Sequence, residues 1–102
     1  MASRLLIWPI MRKMTWKIDL LAQAERDLAK LDRENARRIH RFLFERLPNL
    51  ENPRSIGEAL HGPQFGEFWK YRVGDYRLIT KIEDDRLLVI VIRIGHRREI
   101  YR

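Results

Sequence analysis

Lys70, Arg72, Arg77, Arg97 and Tyr101 are the residues whose types and spacing fit chemistry on a phosphodiester. An arginine carries a permanent charge and a planar fork of donors that matches the non-bridging oxygens of a phosphate. Cleavage of RNA by its own 2′-hydroxyl has three needs: a proton removed from that oxygen, charge stabilised on the phosphorane, and a proton delivered to the 5′ leaving oxygen. Fixed guanidinium groups meet the second. Lysine and tyrosine are poor bases at neutral pH unless nearby positive charge lowers their pKa, and Lys70 and Tyr101 among arginines would have such surroundings. Lys81 and Arg98 extend the positive field, and His96 adds an imidazole beside Arg97.

Strand alternation would gather these groups. If Phe68–Val73 is a strand, Trp69, Tyr71 and Val73 share one face while Phe68, Lys70 and Arg72 share the other. In the following strand, Tyr76–Ile82, the residues Tyr76, Leu78, Thr80 and Ile82 alternate with Arg77, Ile79 and Lys81. Gly74-Asp75 is a compact turn between the two. With the aromatic set toward a core, Lys70, Arg72 and Arg77 lie together on the open side, and Arg97 and Tyr101 arrive on a basic tail after Gly95. Trp69, Tyr71 and Tyr76 read as core residues.

The remaining elements can be read from period and punctuation. Thr15–Leu20 alternates as a half-buried strand. Leu21–Leu31 has a helical stripe of Leu21, Ala24, Leu28 and Leu31, with Glu25, Arg26, Asp27 and Lys30 on the other face. Asp32 is placed to end that helix and cap the next, which runs from Glu34 to Leu47 with Ala36, Ile39, Leu43 and Leu47 as its stripe. Leu50–Gly66 is irregular, with a short helical turn expected from Pro53 through Leu60. Leu87–Ile94 is nearly all branched aliphatic, as in a central strand. The reading is α/β (α+β): a helical hairpin packed on a small, mostly antiparallel four-stranded sheet, in the order strand, helix, helix, strand, strand, strand.

Composition bounds the rest. A chain of 102 residues supports one core, and 45% hydrophobic with 34% charged residues is a globular balance. Cysteine is absent, which excludes disulfides, thiolate metal sites and a thiol nucleophile. His40, His61 and His96 show no close ligand spacing, and no glycine-rich phosphate loop occurs. Lys and Arg exceed Asp and Glu by 21 to 14, and residues 70–102 hold nine of those basic residues against five acidic ones. A polyanion or an acidic partner would be drawn there. Residues 1–13 carry three basic residues around the short apolar run Leu5–Ile10. That run is too short for a membrane span and is followed by no cleavage-site pattern. It reads as an extension or a misassigned start, with a single folded domain over 14–102.

Two segments resemble the RelE branch of the RelE/ParE type II toxin–antitoxin superfamily. They are Gly-Glu-Phe-Trp-Lys-Tyr-Arg-Val-Gly-Asp-Tyr-Arg-Leu-Ile at 66–79 and Ile-Arg-Ile-Gly-His-Arg-Arg-Glu-Ile-Tyr at 92–101, accompanied by Asn-Pro-Arg at 52–54 and Leu-His-Gly at 60–62. The resemblance runs from about Thr15 to the end. It implies a microbial ribonuclease-like fold and a toxin that inhibits translation as a metal-independent endoribonuclease cutting messenger RNA in the ribosomal A site. It implies as partners a cognate RelB-like antitoxin and the 70S ribosome, with operator DNA reached only through the antitoxin, no membrane, no cofactor and a cytoplasmic setting. By position, it implies Lys70 in substrate binding or proton transfer and Arg72 as the second basic sheet residue, where the best-studied branch has lysine. Arg77 would stabilise the transition state, Arg97 the phosphorane or leaving group, and Tyr101 would stack on a base and assist proton abstraction. His96 stands where that branch has lysine. Two other readings use the same residues: a ParE-like toxin that binds DNA gyrase without nuclease chemistry, and a noncatalytic module docking on ribosomal RNA.

Overall fold

The computed structural model describes residues 15–60 and 67–100. The expected extension over 1–13, His61 and the near-terminal Tyr101 lie outside the described residues. In chain order the elements are β1 (Lys17–Leu20), α1 (Ala22–Ala29), α2 (Arg33–Arg41), β2 (Glu58–Ala59), β3 (Trp69–Val73), β4 (Tyr76–Glu83) and β5 (Leu88–His96). Asp32 caps α2 as expected, accepting the Asn35 N–H at 3.2 Å. Beyond α2 the helix widens into a π-helical stretch, Phe42–Arg46, and then a 3₁₀ turn, Leu47–Asn49. The widening keeps Leu43 and Leu47 buried while Phe44 is left exposed.

The sheet has five strands in the order β1-β5-β4-β3-β2, not the four expected. The helical turn from Pro53 stops at Ile56, and Glu58–Ala59 then pairs antiparallel with Lys70 and Trp69. Two residues are too few to show a period, so this edge strand exists only through its partner. β1 joins the other edge, parallel to β5, and the remaining pairs are antiparallel. Leu87, expected in the last strand, instead takes φ 48° at the end of the 3₁₀ turn Asp84–Arg86, a left-handed conformation that costs a leucine about 1 kcal/mol or more.

The helical hairpin covers one face of the sheet. Ala24, Ile39, Leu43 and Leu47 pack on Tyr71, Leu78, Ile82, Val89, Val91 and Ile94. On the opposite face a smaller cluster gathers Leu60, Ile79 and Ile100, with Phe68 against it.

A bulge in β5 determines what that second face displays. Ile79 pairs with Arg93 and Thr80 with Val91, so Ile92 is an extra residue. The side-chain parity of β5 therefore flips. Val89 and Val91 face the helices before the bulge and Ile94 does so after it, which turns Gly95 to the open face. The buried carboxylate of Asp27, on α1, holds this point by accepting the Ile94 N–H at 2.9 Å, Arg93 Nε at 3.0 Å and the Gln23 amide at 2.9 Å. Asp27 was expected on the solvent face of its helix, and the reason it is not lies 67 residues away.

Candidate functional site

The turn between β3 and β4 sets the site. Only Gly74 of the Gly74-Asp75 pair has a positive φ, at 61°, the requirement of a type II′ hairpin turn. That turn fixes Val73 opposite Tyr76, and hence Arg72 directly opposite Arg77 and Lys70 opposite Ile79. All four lie on the face away from the helices. Two arginines in direct cross-strand register repel each other, so the pair is a cost to the sheet that packing does not explain.

The neighbours of each cation differ. Arg72 Nε lies 3.2 Å from Glu58 Oε1, and Glu58 stands opposite Lys70 in β2. Arg77 makes no carboxylate pair with Asp75 or Glu67; its Nη1 donates to the carbonyl oxygens of Gly74 at 3.3 Å and Tyr76 at 3.1 Å. These bonds hold the guanidinium at the turn without neutralising it. Lys81 is on the same face of β4, four residues along, about 13 Å from Arg77.

The tail is folded back, not extended. Gly95 pairs with Arg77, and one residue beyond β5 the Arg97 N–H donates to Asp75 O at 2.8 Å. The Ile100 and Glu99 N–H groups both return to His96 O, at 3.0 and 2.8 Å. Ile100 lies directly on Gly95, where a Cβ would come within 2.9 Å of its Cδ1. The backbone of Arg97 is thus stitched beside the turn that carries Arg77, and Ile100 is buried as the anchor of the returning tail. Arg98, exposed in the same turn, donates its N–H to His96 Nδ1 at 3.2 Å.

His96 goes elsewhere. It pairs with Tyr76, whose ring it meets edge-on at 5.7 Å, on the helix side of the sheet. There it lines an open cleft of about 460 Å³ with Asp27, Lys30, Tyr76, Arg93 and Glu99. The structure therefore brings Lys70, Arg72, Arg77 and the backbone of Arg97 to one end of the open face and puts His96 on the other side. Tyr71 is buried, donates its hydroxyl to Pro53 O at 2.6 Å, and has its pKa pushed up by burial to about 12. It belongs to the core. Sequence reasoning missed Glu58, because the strand that presents it is two residues long.

A two-helix hairpin on one side of a mixed sheet, with a cationic open face, defines the structural class. The family model described as ParE toxin of type II toxin-antitoxin system, parDE, matches residues 18–101. Toxin RelG of Mycobacterium tuberculosis is 33% identical over 89 residues, covering 87% of this chain and 99% of the relative. Toxin RelE of the same organism is 33% identical over 87 residues, covering 85% of this chain and 87% of that protein. Among solved structures, a chain of the RelBE2 toxin-antitoxin complex from M. tuberculosis superposes with a TM-score of 0.74 at 27% identity, over 84% of this chain and 95% of the other. A chain of the intact E. coli RelBE complex gives a TM-score of 0.64 at 25% identity, over 79% and 95% of the two chains. The chain belongs to the RelE/ParE superfamily of type II toxin–antitoxin toxins, in its RelE branch.

Proposed function

We propose that this toxin is a ribosome-dependent endoribonuclease that cuts messenger RNA in the A site. The observation that carries the reading is the cross-strand pair Arg72–Arg77 on an open sheet face, with Lys70 beside it and the Arg97 backbone tied to the same turn. In the proposed reaction the 2′-oxygen attacks the adjacent phosphorus, the P–O5′ bond breaks, and a 2′,3′-cyclic phosphate and a 5′-hydroxyl are left. Arg77 and Arg97 donate to the non-bridging oxygens as charge builds on them. Lys70 and Arg72 hold the phosphate, with Lys81 and Arg98 along the flanking strand, and Tyr101 stacks on a base. Glu58 offers what the cations cannot, an oxygen that accepts the 2′-hydroxyl proton once phosphate replaces it on Arg72. A proton from Lys70 to the 5′ oxygen completes the balance.

Arg72 is exposed and Lys70 and Arg77 are half-buried on an open sheet face, and in this reading the RNA is oriented on that face from outside. Splaying of A-site nucleotides by the ribosome would supply that positioning, which is worth several orders of magnitude in rate. Free RNA is then a poor substrate. The setting of the reaction is cytoplasmic, no metal or cofactor takes part, and a RelB-like antitoxin covers the cationic face. Operator DNA is met only through that antitoxin. The folding unit is residues 14–102.

The test is expression of wild type and of Arg77→Ala/Arg97→Ala, with mapping of messenger RNA 5′ ends. Ribosome-dependent cuts with wild type alone support the reading. The match to a ParE family model favours one other outcome, growth arrest without cuts and with gyrase inhibition. Loss of ribosome binding and cleavage in parallel on Arg97→Ala would favour a noncatalytic docking module.

A further inference from the structure

The turn that fixes Arg77 also touches a cation from the other layer of the molecule. Arg38, on α2, lies with Nη1 3.1 Å and Cζ 3.5 Å from the point where Gly74 would carry a Cβ. Arg77 Nη1 binds the carbonyl of the same glycine at 3.3 Å. Two guanidinium groups therefore flank one turn residue, Arg77 from its carbonyl and Arg38 from its Cα. Arg38 is exposed and makes no hydrogen bond or ion pair among the described residues. Its helix continues the charge, since Arg33, Arg37, Arg38 and Arg41 stand against Glu34 alone in Arg33–Arg41. Among the described residues no hydrogen bond or ion pair accounts for an arginine held there.

We propose that Arg38 is a second phosphate site, binding the phosphodiester next to the scissile one as the RNA strand passes around the β3–β4 turn from the open face toward α2. The inference rests on the nuclease reading above and assigns the path of its substrate. A guanidinium is the group suited to this task, because it stays charged and can grip a phosphate with two donors. An anchor on each side of the bond to be broken holds an extended single strand in place, and at Gly74 the Arg38 guanidinium approaches so closely that a Cβ there would require it to give by a few tenths of an ångström.

The test uses purified protein, 70S ribosomes and synthetic messenger RNAs carrying a neutral methylphosphonate at one of the two phosphodiesters flanking the cut. Wild type is expected to lose about tenfold or more in cleavage rate at one of those positions, the worth of a hydrogen bond to a charged group. Arg38→Ala should show that loss on unmodified RNA and no further loss at that methylphosphonate. Arg38→Lys should recover part of the rate, and the charge-matched control Arg86→Ala should behave as wild type. The unfolding midpoint of Arg38→Ala should equal that of wild type. Multiplying losses for Arg38→Ala and methylphosphonate would overturn the proposal in favour of contact with ribosomal RNA. Unchanged cleavage with weakened antitoxin neutralisation would overturn it in favour of an acidic protein partner. Absence of cleavage by wild type would overturn the nuclease reading itself, a result separate from these.

Discussion

The two ends of the sheet use arginine in opposite ways. At the β4–β5 end, Arg54 forks onto Asp84 with both contacts at 2.8 Å and lies 5.7 Å over Trp69, and Arg86 meets Glu83 at 2.9 Å. At the β3–β4 end, Arg38, Arg77 and Arg97 have no carboxylate among the described residues, and Arg72 shares the edge carboxylate Glu58. One end spends its arginines on closure of the fold. The other sets Arg72 and Arg77 in direct cross-strand register with one edge carboxylate beside them, and in the proposed reading this is the end that takes the anion.

Substitutions should separate the ends sharply. The largest effect is expected for Arg77→Ala or Arg97→Ala, which should lower cleavage about 10²- to 10³-fold while stability stays within about 0.5 kcal/mol, checked by single-turnover cleavage beside chemical denaturation. Glu58→Gln should lower cleavage about 10²-fold, with ribosome binding retained in a pelleting assay, if its carboxylate takes the proton.

Asp27→Asn crosses between the ends, because it holds the bulge that turns Gly95 outward. It should cost about 1–3 kcal/mol, read by urea unfolding, and should also disturb the tail carrying Arg97. Burial opposes the Asp27 charge, but the Ile94 N–H, the Gln23 amide and Arg93 outweigh it, so its pKa is held below the ordinary 3.8. The stability it provides is therefore present above about pH 4 and lost as pH falls through the depressed folded value. Asp27→Asn should flatten that part of the acid limb. Tyr71→Phe should cost about 1 kcal/mol by leaving the Pro53 carbonyl without its donor, with little change in cleavage. The smallest effect is expected for Arg54→Ala, a slight fall in unfolding midpoint with no change in where RNA is cut, because its ion pair is exposed to solvent.

Period-two alternation was enough to place Lys70, Arg72 and Arg77 on one face, since β3 and β4 are joined by a two-residue turn and their pairing is local. The Asp32 cap and the Ile39, Leu43 and Leu47 stripe were legible for the same reason, as were Ala24 and Leu28 of the first helix, whereas Leu21, expected in that stripe, stands at the helix N-cap and is exposed. What was not legible depends on partners far along the chain. Glu58–Ala59 is a strand only because β3 offers an edge, and this is why a fifth strand was missed. Asp27 is buried because an extra residue in β5 presents the Ile94 N–H to it. Arg38 gave no signal in its own helix, where it reads as one more solvated charge. Arg97 and Arg98 are exposed, as their charge implies, but the folding back of the tail was not legible, because the fit of Ile100 on Gly95 is a matter of shape that sequence spacing does not encode.

The central claim is that the arginines at the β3–β4 end of the sheet converge on a single phosphate strand. It is tested most directly by observing the arginine Nε–H resonances of the antitoxin-free protein during titration with a 2′-O-methyl RNA trinucleotide, which binds and cannot be cut. The account predicts that Arg72, Arg77 and Arg97 shift together along one saturating curve while Arg54, Arg86 and Arg93 stay still. Shifts spread equally over both ends, or confined to the paired arginines, would contradict it.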